Sequence, residues 1–182
     1  MAKQYPELSP KLIEFISEQK MFFVGTAGAE GLVNVSPKGL DSLRIVGPGR
    51  VVWLNLTGSG NESAAHVLEN GRMTLMFCSF DRKPLILRLY GTAKVVHPRD
   101  KDWDELYGLF PDYTGARQIF DLSIDMAQTS CGYAVPFYAF EGDRSLLQDN
   151  ADRVGQEALE AAWVSGNAKS LDGKDTGILL SE

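Results

Sequence analysis

Apolar and polar residues alternate with a period of two in several segments of this chain, which is the pattern of half-buried β-strands. These segments are rich in branched and aromatic residues and are bounded by glycine, proline or asparagine. Strands are predicted over residues 21–27, 32–38, 44–46, 50–56, 73–80, 85–96, 117–128 and 131–140, the last with a kink at Pro136. The glycine-bounded turns at residues 28–31 and 47–49 predict that the first four strands form two hairpins.

Four other segments carry helix signals, namely a capping residue at the start, apolar residues at helical spacing, or a stop signal. The predicted helices are one that begins at Ser9-Pro10, one over residues 62–69 between the cap Asn61 and the stop Asn70-Gly71, one over residues 101–110 before Pro111, and one from Asp149 or Asn150 through Trp163. The tail from Gly166 is polar and glycine-rich, and we expect it to be mobile or to lie on a partner.

Short strands with helices inserted between them, rather than in strict alternation, predict a mainly β (β+α) fold. We expect a predominantly antiparallel β-barrel with peripheral helices. The chain has 182 residues, of which 44% are apolar, so it can bury the core of one such domain. We assign residues 1–165 to a single domain and residues 166–182 to a C-terminal extension.

Charge and composition exclude several classes of function. The formal net charge of -6 argues against a nucleic-acid partner or an anionic membrane surface, since both require clustered Lys and Arg. No signal-peptide core and no run of about 18 apolar residues is present, which predicts a cytoplasmic protein that does not enter a membrane. His66, His97, Cys78 and Cys131 have no neighbours at metal-ligand or disulfide spacing, so we predict no metal site.

The candidate chemistry concentrates in residues 33–63. Lys38 ends a predicted strand directly after Pro37, which cannot donate to a neighbouring strand and therefore marks an edge or a bulge. The loop Thr57-Gly58-Ser59-Gly60-Asn61 opens into a predicted helix, whose first N–H groups and dipole attract anions. These features predict a phosphate site, to which Arg88 is a further candidate contributor. The alternative is a solvated strand end beside an ordinary surface loop.

The segments VNVSPKG (residues 33–39), VVWLNLTGSGNES (51–63) and LRLYGTAKVV (87–96) together resemble the pyridoxamine 5′-phosphate oxidase-like family of FMN-binding split barrels. SCGYAVP (130–136) resembles a further segment of its members. The resemblance implies a Greek-key split barrel and a homodimer with FMN at the interface. The FMN contacts that it implies are Ser36, Pro37, Lys38, Leu56, Thr57, Asn61 and Ser63, with Arg88 near the flavin of the partner.

Two departures from that family bear on function. Glu62-Ser63 stands where true pyridoxamine phosphate oxidases carry Arg-Lys, and the C-terminal sequence lacks their Trp- and Arg-bearing segment for substrate phosphate. We therefore expect an FMN-dependent oxidoreductase with an unidentified small substrate or a nicotinamide reductant, rather than a vitamin B6 oxidase. No catalytic side chain is predicted. The alternatives are a non-catalytic flavin or haem carrier or sensor, and a ligand-free interaction module.

Overall fold

A computed structural model describes residues 2–179 of the chain. Within that range the chain forms eight strands and five helices. In chain order they are β1 (Lys3–Tyr5), α1 (Pro10–Glu18), β2 (Phe22–Ala27), β3 (Val33–Lys38), β4 (Leu43–Gly47), β5 (Arg50–Leu56), α2 (Glu62–Asn70), β6 (Arg72–Cys78), β7 (Ile86–Val96), α3 (Trp103–Tyr107), β8 (Ala116–Ser130), α4 (Leu146–Val154) and α5 (Gln156–Gly166).

All eight strands belong to one antiparallel sheet with the order β3-β2-β6-β7-β8-β5-β4, and β1 pairs with β8 off this path. β8 is the longest strand, with 15 residues. Its first half pairs with β5 and its last residues pair with β1, while β7 follows its other edge. Among residues 2–179 the outer strands β3 and β4 do not pair with each other, so the barrel is split. The predicted mainly β, split-barrel fold with peripheral helices is confirmed.

The main core lies inside this curved sheet, beneath α1. The apolar stripe of α1 buries Leu12, Phe15 and Ile16 against it, as its helical spacing predicts. The Trp53 ring of β5 lies parallel to the Phe120 ring of β8, with 4.7 Å between the ring centroids. β5 is buried on both faces, because α3 covers its second face. That double burial explains its almost uninterrupted apolar sequence.

Two of the predicted elements are wrong. Residues 131–140 do not form a strand, since the chain leaves the sheet at Ser130 and most of the following side chains are exposed. Both edges of the last residues of β8 are already occupied by β7 and β1, so the segment has no place beside it.

The predicted helix from Asp149 or Asn150 to Trp163 is two helices. Gly155 separates them with a φ of 85°, a left-handed conformation that a helix interior does not contain. Asp149 and Asn150 therefore lie inside α4 and cap nothing. The helix predicted over residues 101–110 is also shorter than expected, since α3 contains five residues.

The C-terminal residues fold back onto the barrel. Asn167, Thr176 and Ile178 are buried, and Lys174 forms an ion pair with Glu69 of α2. The expectation of a mobile tail, or of an arm on a partner, is therefore wrong for residues 167–179. Residues 180–182, which belong to the same predicted extension, lie outside the described range. The domain boundary at residue 165 stays a prediction.

Candidate functional site

One deep cleft of about 1110 Å³ opens between the ends of β3 and β5, the turn before β2, and the chain after β8. Four of the residues singled out from the sequence line it, namely Pro37, Lys38, Leu56 and Thr57. They come from the two strand ends that the sequence predicted to converge. Trp53 and Asn55 of β5 form the adjoining wall.

Lys38 is the cation of this cleft. β3 is an edge strand and ends at Lys38, so the side chain turns inward over the buried Trp53 ring, with 5.2 Å between Nζ and the ring centroid. Among residues 2–179 no carboxylate forms an ion pair with it. Burial, together with the nearby charge of Arg117, lowers the pKa of Lys38 from 10.5 to about 8. The Lys38 side chain is therefore charged at neutral pH, and its positive charge has no carboxylate partner among the described residues.

The loop after β5 is fixed by residues distant in sequence. The Thr57 hydroxyl accepts a hydrogen bond from Trp163 Nε1 of α5 at 2.9 Å and donates to the Gly115 carbonyl at 2.9 Å. The Gly58 carbonyl accepts from the Asn167 amide at 3.2 Å. The loop's glycine-rich composition is typical of a flexible loop, but these partners hold its backbone in place.

Arg117 lies behind this loop and was not identified from the sequence. Its side chain is 2% exposed and donates to Asn167 Oδ1 at 2.8 Å and to the Gly60 carbonyl at 3.1 Å. The Asn55 amide is best oriented with its oxygen 2.9 Å from Arg117 Nη2, while Arg117 Nε has no partner among the described residues. Burial lowers the pKa of Arg117 to about 10, which still leaves it charged at neutral pH.

All the acceptors around Arg117 are neutral, so its charge is uncompensated within the described residues. A charged residue beside an apolar strand requires either a partner or an exit to solvent, and this signal in the sequence could have revealed Arg117.

Asn61 and Ser63 are buried and do not line the cleft. Asn61 occupies the N-cap position of α2, but its side chain makes no capping bond. Its Oδ1 instead accepts a hydrogen bond from Gln118 Nε2 at 2.6 Å. The Ser63 hydroxyl lies 3.2 Å from the Thr26 hydroxyl and accepts from Asn34 Nδ2 at 3.1 Å. Both side chains are thus engaged inside the protein, and their predicted cofactor contacts stay predictions.

Ser36 and Arg88 also lie outside the cleft of their own chain. The Ser36 hydroxyl donates to Asn34 Oδ1 at 3.3 Å, and Arg88 Nη1 on β7 donates to the Ser130 hydroxyl at 3.2 Å. Arg88 is half-buried on the face of the sheet that points away from the core. Their predicted roles likewise stay predictions.

Residues 131–145, called the arm below, border the mouth of the cleft. Tyr138 anchors the arm through its N–H, which donates to the Phe80 carbonyl at 3.2 Å. The Tyr138 and Phe80 rings meet edge to face, with 5.5 Å between centroids and an angle of 80°. Tyr138, Phe140 and Arg144 of the arm line the cleft together with Leu146 and Leu147 of α4.

The two histidines are buried elsewhere. His66 is 1% exposed, with Nδ1 3.1 Å from the Thr26 hydroxyl. Burial of His97 lowers its pKa to about 4, so that its ring is neutral at pH 7. Neither ring lines the cleft.

Residues 2–179 hold neither a metal-ligand cluster nor a helix suited to crossing a membrane. No three His, Cys, Asp or Glu side chains in that range come together as a metal site would require. None of the helices described is both long and apolar enough to span a bilayer.

The sequence and the fold both match known proteins. The family model described as pyridoxamine 5′-phosphate oxidase matches residues 8–131. A pyridoxamine 5′-phosphate oxidase family protein from Aspergillus flavus, ustO, is 36% identical over 188 residues, which cover 93% of this chain and 75% of that protein.

Two crystal structures share the fold. A candidate pyridoxamine 5′-phosphate oxidase from Lactobacillus delbrueckii superposes with a TM-score of 0.56 at 18% identity, over 68% of this chain and 94% of that one. An FAD-binding protein from Mesorhizobium loti superposes with a TM-score of 0.50 at 10% identity, over 71% of this chain and 97% of the other.

Proposed function

This chain belongs to the pyridoxamine 5′-phosphate oxidase family, and on that premise we propose that it is an FMN-binding flavoprotein. Its flavin would transfer hydride or electrons to or from a small substrate. The observation that carries the proposal is the cation Lys38 in the cleft, with a second cation, Arg117, buried behind the adjoining loop. Lys38 and Arg117 have no carboxylate partner among the described residues, and the phosphate of FMN would compensate their charge.

The residues present fit the cofactor in size and chemistry. Lys38 would bind the phosphate, with Arg117 adding positive potential from behind the loop, while Thr57, whose hydroxyl already donates to Gly115, would shape the wall of the cleft. Pro37 and Leu56 offer apolar surface for the flavin ring, and a volume of about 1110 Å³ exceeds what one such ligand requires. When bound, the flavin supplies the redox chemistry, and these residues orient it and exclude water. A protein of the same fold that binds FAD supports a flavin in this role.

Vitamin B6 oxidation is not part of the proposal. Glu62 stands where the true oxidases carry a cation, and its carboxylate accepts the Leu171 N–H at 3.0 Å, away from the cleft. Glu62 therefore neither binds nor repels the proposed phosphate directly. We propose a small molecule as the substrate. We also propose that the protein is located in the cytoplasm.

We further propose that two copies of the chain associate. The chain exposes 10455 Å² of surface. A compact monomer of this mass would expose roughly 8,700 Å². The difference exceeds the roughly 800 Å² that each partner buries in a standard interface. On the edge strand β3, Val33 and Val35 are 71% and 65% exposed, and Arg88 lies on the same sheet. A partner packed on this apolar face would bring Arg88 towards the second flavin.

An absorption spectrum of the purified protein, followed by mass identification of the molecule released on denaturation, tests the proposal. We expect flavin bands and the mass of FMN. A protein that stays colourless after incubation with FMN would overturn the proposal. A haem spectrum would favour the haem-carrier alternative, although neither buried histidine is placed to ligate iron in the cleft.

Two further measurements sharpen this test. Replacing Lys38 by alanine should weaken FMN binding by about 1–3 kcal/mol, because a charge-assisted contact to phosphate is lost. Anaerobic addition of reduced nicotinamide nucleotide should bleach the bound flavin if the protein is an oxidoreductase that uses this reductant. Bound flavin that no reductant bleaches would favour the carrier or sensor.

A further inference from the structure

The cleft has two ends with different chemistry. The inner end holds Thr57 and Lys38, and the Lys38 ammonium lies over the buried Trp53 ring. The other end, which we call the outer end, is open to solvent and carries most of the exposed apolar side chains of the lining. They are Tyr138, Phe140, Leu146 and Leu147, beside the half-buried Phe80.

The charges of the outer end do not select an anion. Glu18, Asp81 and Asp143 contribute three carboxylates to the exposed lining, against two cations from Lys20 and Arg144. Asp81 is further held by the Ser79 hydroxyl, which donates to it at 2.7 Å. A phosphate is therefore drawn to the inner end and gains nothing at the outer end.

The aromatic residues of the outer end are arranged as an incomplete cluster. Phe80 and Tyr138 meet edge to face, and Lys20 Nζ lies 5.8 Å from the centroid of the Phe140 ring. Tyr138 and Phe140 are nevertheless 68% and 55% exposed. A flat ring that entered between them would bury apolar surface and would gain aromatic contacts.

The cleft has room for such a ring beside a cofactor. Pockets that hold a single drug-sized ligand measure roughly 300–1,000 Å³. At about 1110 Å³ this cleft exceeds that range, and residues of the arm line part of it.

We propose that the arm and the start of α4 build a second subsite, which takes a flat, uncharged aromatic molecule without a phosphate group. This inference rests on the proposed function, because the ring would be the substrate brought into the same cleft as the flavin. The proposed substrate lacks the phosphate group of a phosphorylated vitamin B6 compound, and the charges of the outer end do not attract such a group.

The test uses the purified full-length protein saturated with FMN and two probes that share one ring system, 2-naphthol and 2-naphthyl phosphate. Calorimetric titration should show that 2-naphthol binds, and that the phosphate ester binds no more tightly. Tyr138→Ala and Phe140→Ala should each weaken 2-naphthol about tenfold, since each removes one aromatic wall.

Two matched controls keep the result specific to the subsite. Tyr133 is an arm aromatic that is 82% exposed and does not line the cleft, so Tyr133→Ala should leave the 2-naphthol affinity within about twofold. Lys38→Ala should weaken FMN while leaving 2-naphthol unchanged. Absence of 2-naphthol binding, or equal effects of Tyr133→Ala and Phe140→Ala, would overturn the proposal.

The outcomes also separate this proposal from the proposed function. If the protein does not bind FMN at all, the same titration of the cofactor-free protein still measures the subsite. If Phe140→Ala lowers the mass of the assembly in solution but leaves 2-naphthol binding intact, the arm is a contact between copies, and the subsite is overturned.

Discussion

The loop at residues 57–61 and the arm at residues 131–145 border the same cleft but are held in opposite ways. The loop is rich in glycine, yet Trp163 and Asn167 fix it from a distance of more than one hundred residues along the chain. The arm is rich in aromatic residues, yet one backbone hydrogen bond, from Tyr138 to Phe80, ties it to the barrel among the described residues.

This difference shows that order in the cleft follows from long-range partners rather than from local composition. A polar glycine loop becomes rigid when buried amides and a tryptophan bind its carbonyl and hydroxyl groups. An apolar segment stays exposed when every neighbouring strand edge is already paired. The rigid loop suits the binding of a cofactor, and the loosely held arm suits the binding of a ligand that can vary.

Limited proteolysis with proteinase K should give the largest contrast between the two regions. We expect the first cuts within residues 131–145, at least about a hundredfold faster than any cut within residues 57–61, because cleavage of the loop requires wider unfolding. Mass spectrometry of the early fragments checks this. First cuts in the loop would reverse the comparison.

Replacing Asn167 by alanine should loosen the loop. The substitution leaves an Arg117 donor and the Gly58 carbonyl without partners, so the free energy of unfolding should fall by about 2–4 kcal/mol. Chemical denaturation measures it. Asn150→Ala is the matched control, since the exposed Asn150 amide on α4 bonds only Arg153 among the described residues, and it should change stability by less than about 0.5 kcal/mol.

Replacing Trp163 by phenylalanine should have a smaller effect, of about 1 kcal/mol, because it removes the donor to the Thr57 hydroxyl while keeping an aromatic ring in place. A double-mutant cycle with Thr57→Val isolates this bond. The two substitutions should together cost less than the sum of their separate effects. Strict additivity would show that the bond contributes nothing to stability.

Tyr133→Ala in the arm should have the smallest effect, within about 0.5 kcal/mol of the native free energy of unfolding, because the side chain is 82% exposed. The same denaturation series checks it. A loss above about 1.5 kcal/mol would mean that the arm is held as firmly as the loop.

The sequence predicted those parts of the fold that depend on neighbouring residues. Period-two patterns located β3 and β8, a run of branched and aromatic residues located β5, and Pro37 indicated an edge or a bulge at the end of β3, which is an edge strand. The same patterns brought Lys38 and Thr57 to one cleft. These predictions succeeded because strand periodicity, turn residues and proline act over a few positions.

The sequence did not reveal what depends on distant contacts. The partners of Arg117 lie 50 and 57 positions away along the chain. Nothing in the local pattern indicates that Asn167 would accept a hydrogen bond from it. The division of the last helix rests on one glycine conformation at Gly155. The arm was predicted as a strand because its composition suits one, whereas the occupied edges of β8 exclude it.

The most direct test of the central claim is the affinity for FMN as a function of pH, measured by fluorescence titration between pH 6.5 and 9.5 for the native protein and for Lys38→Met. Because the pKa of Lys38 is about 8, its ammonium attracts phosphate below that pH and loses its charge above it. The native affinity should therefore be steady up to pH 7.5 and fall several-fold by pH 9.5, while Lys38→Met should bind more weakly and with no such fall. A native affinity that does not change across this range, or a variant with the native profile, would contradict the account.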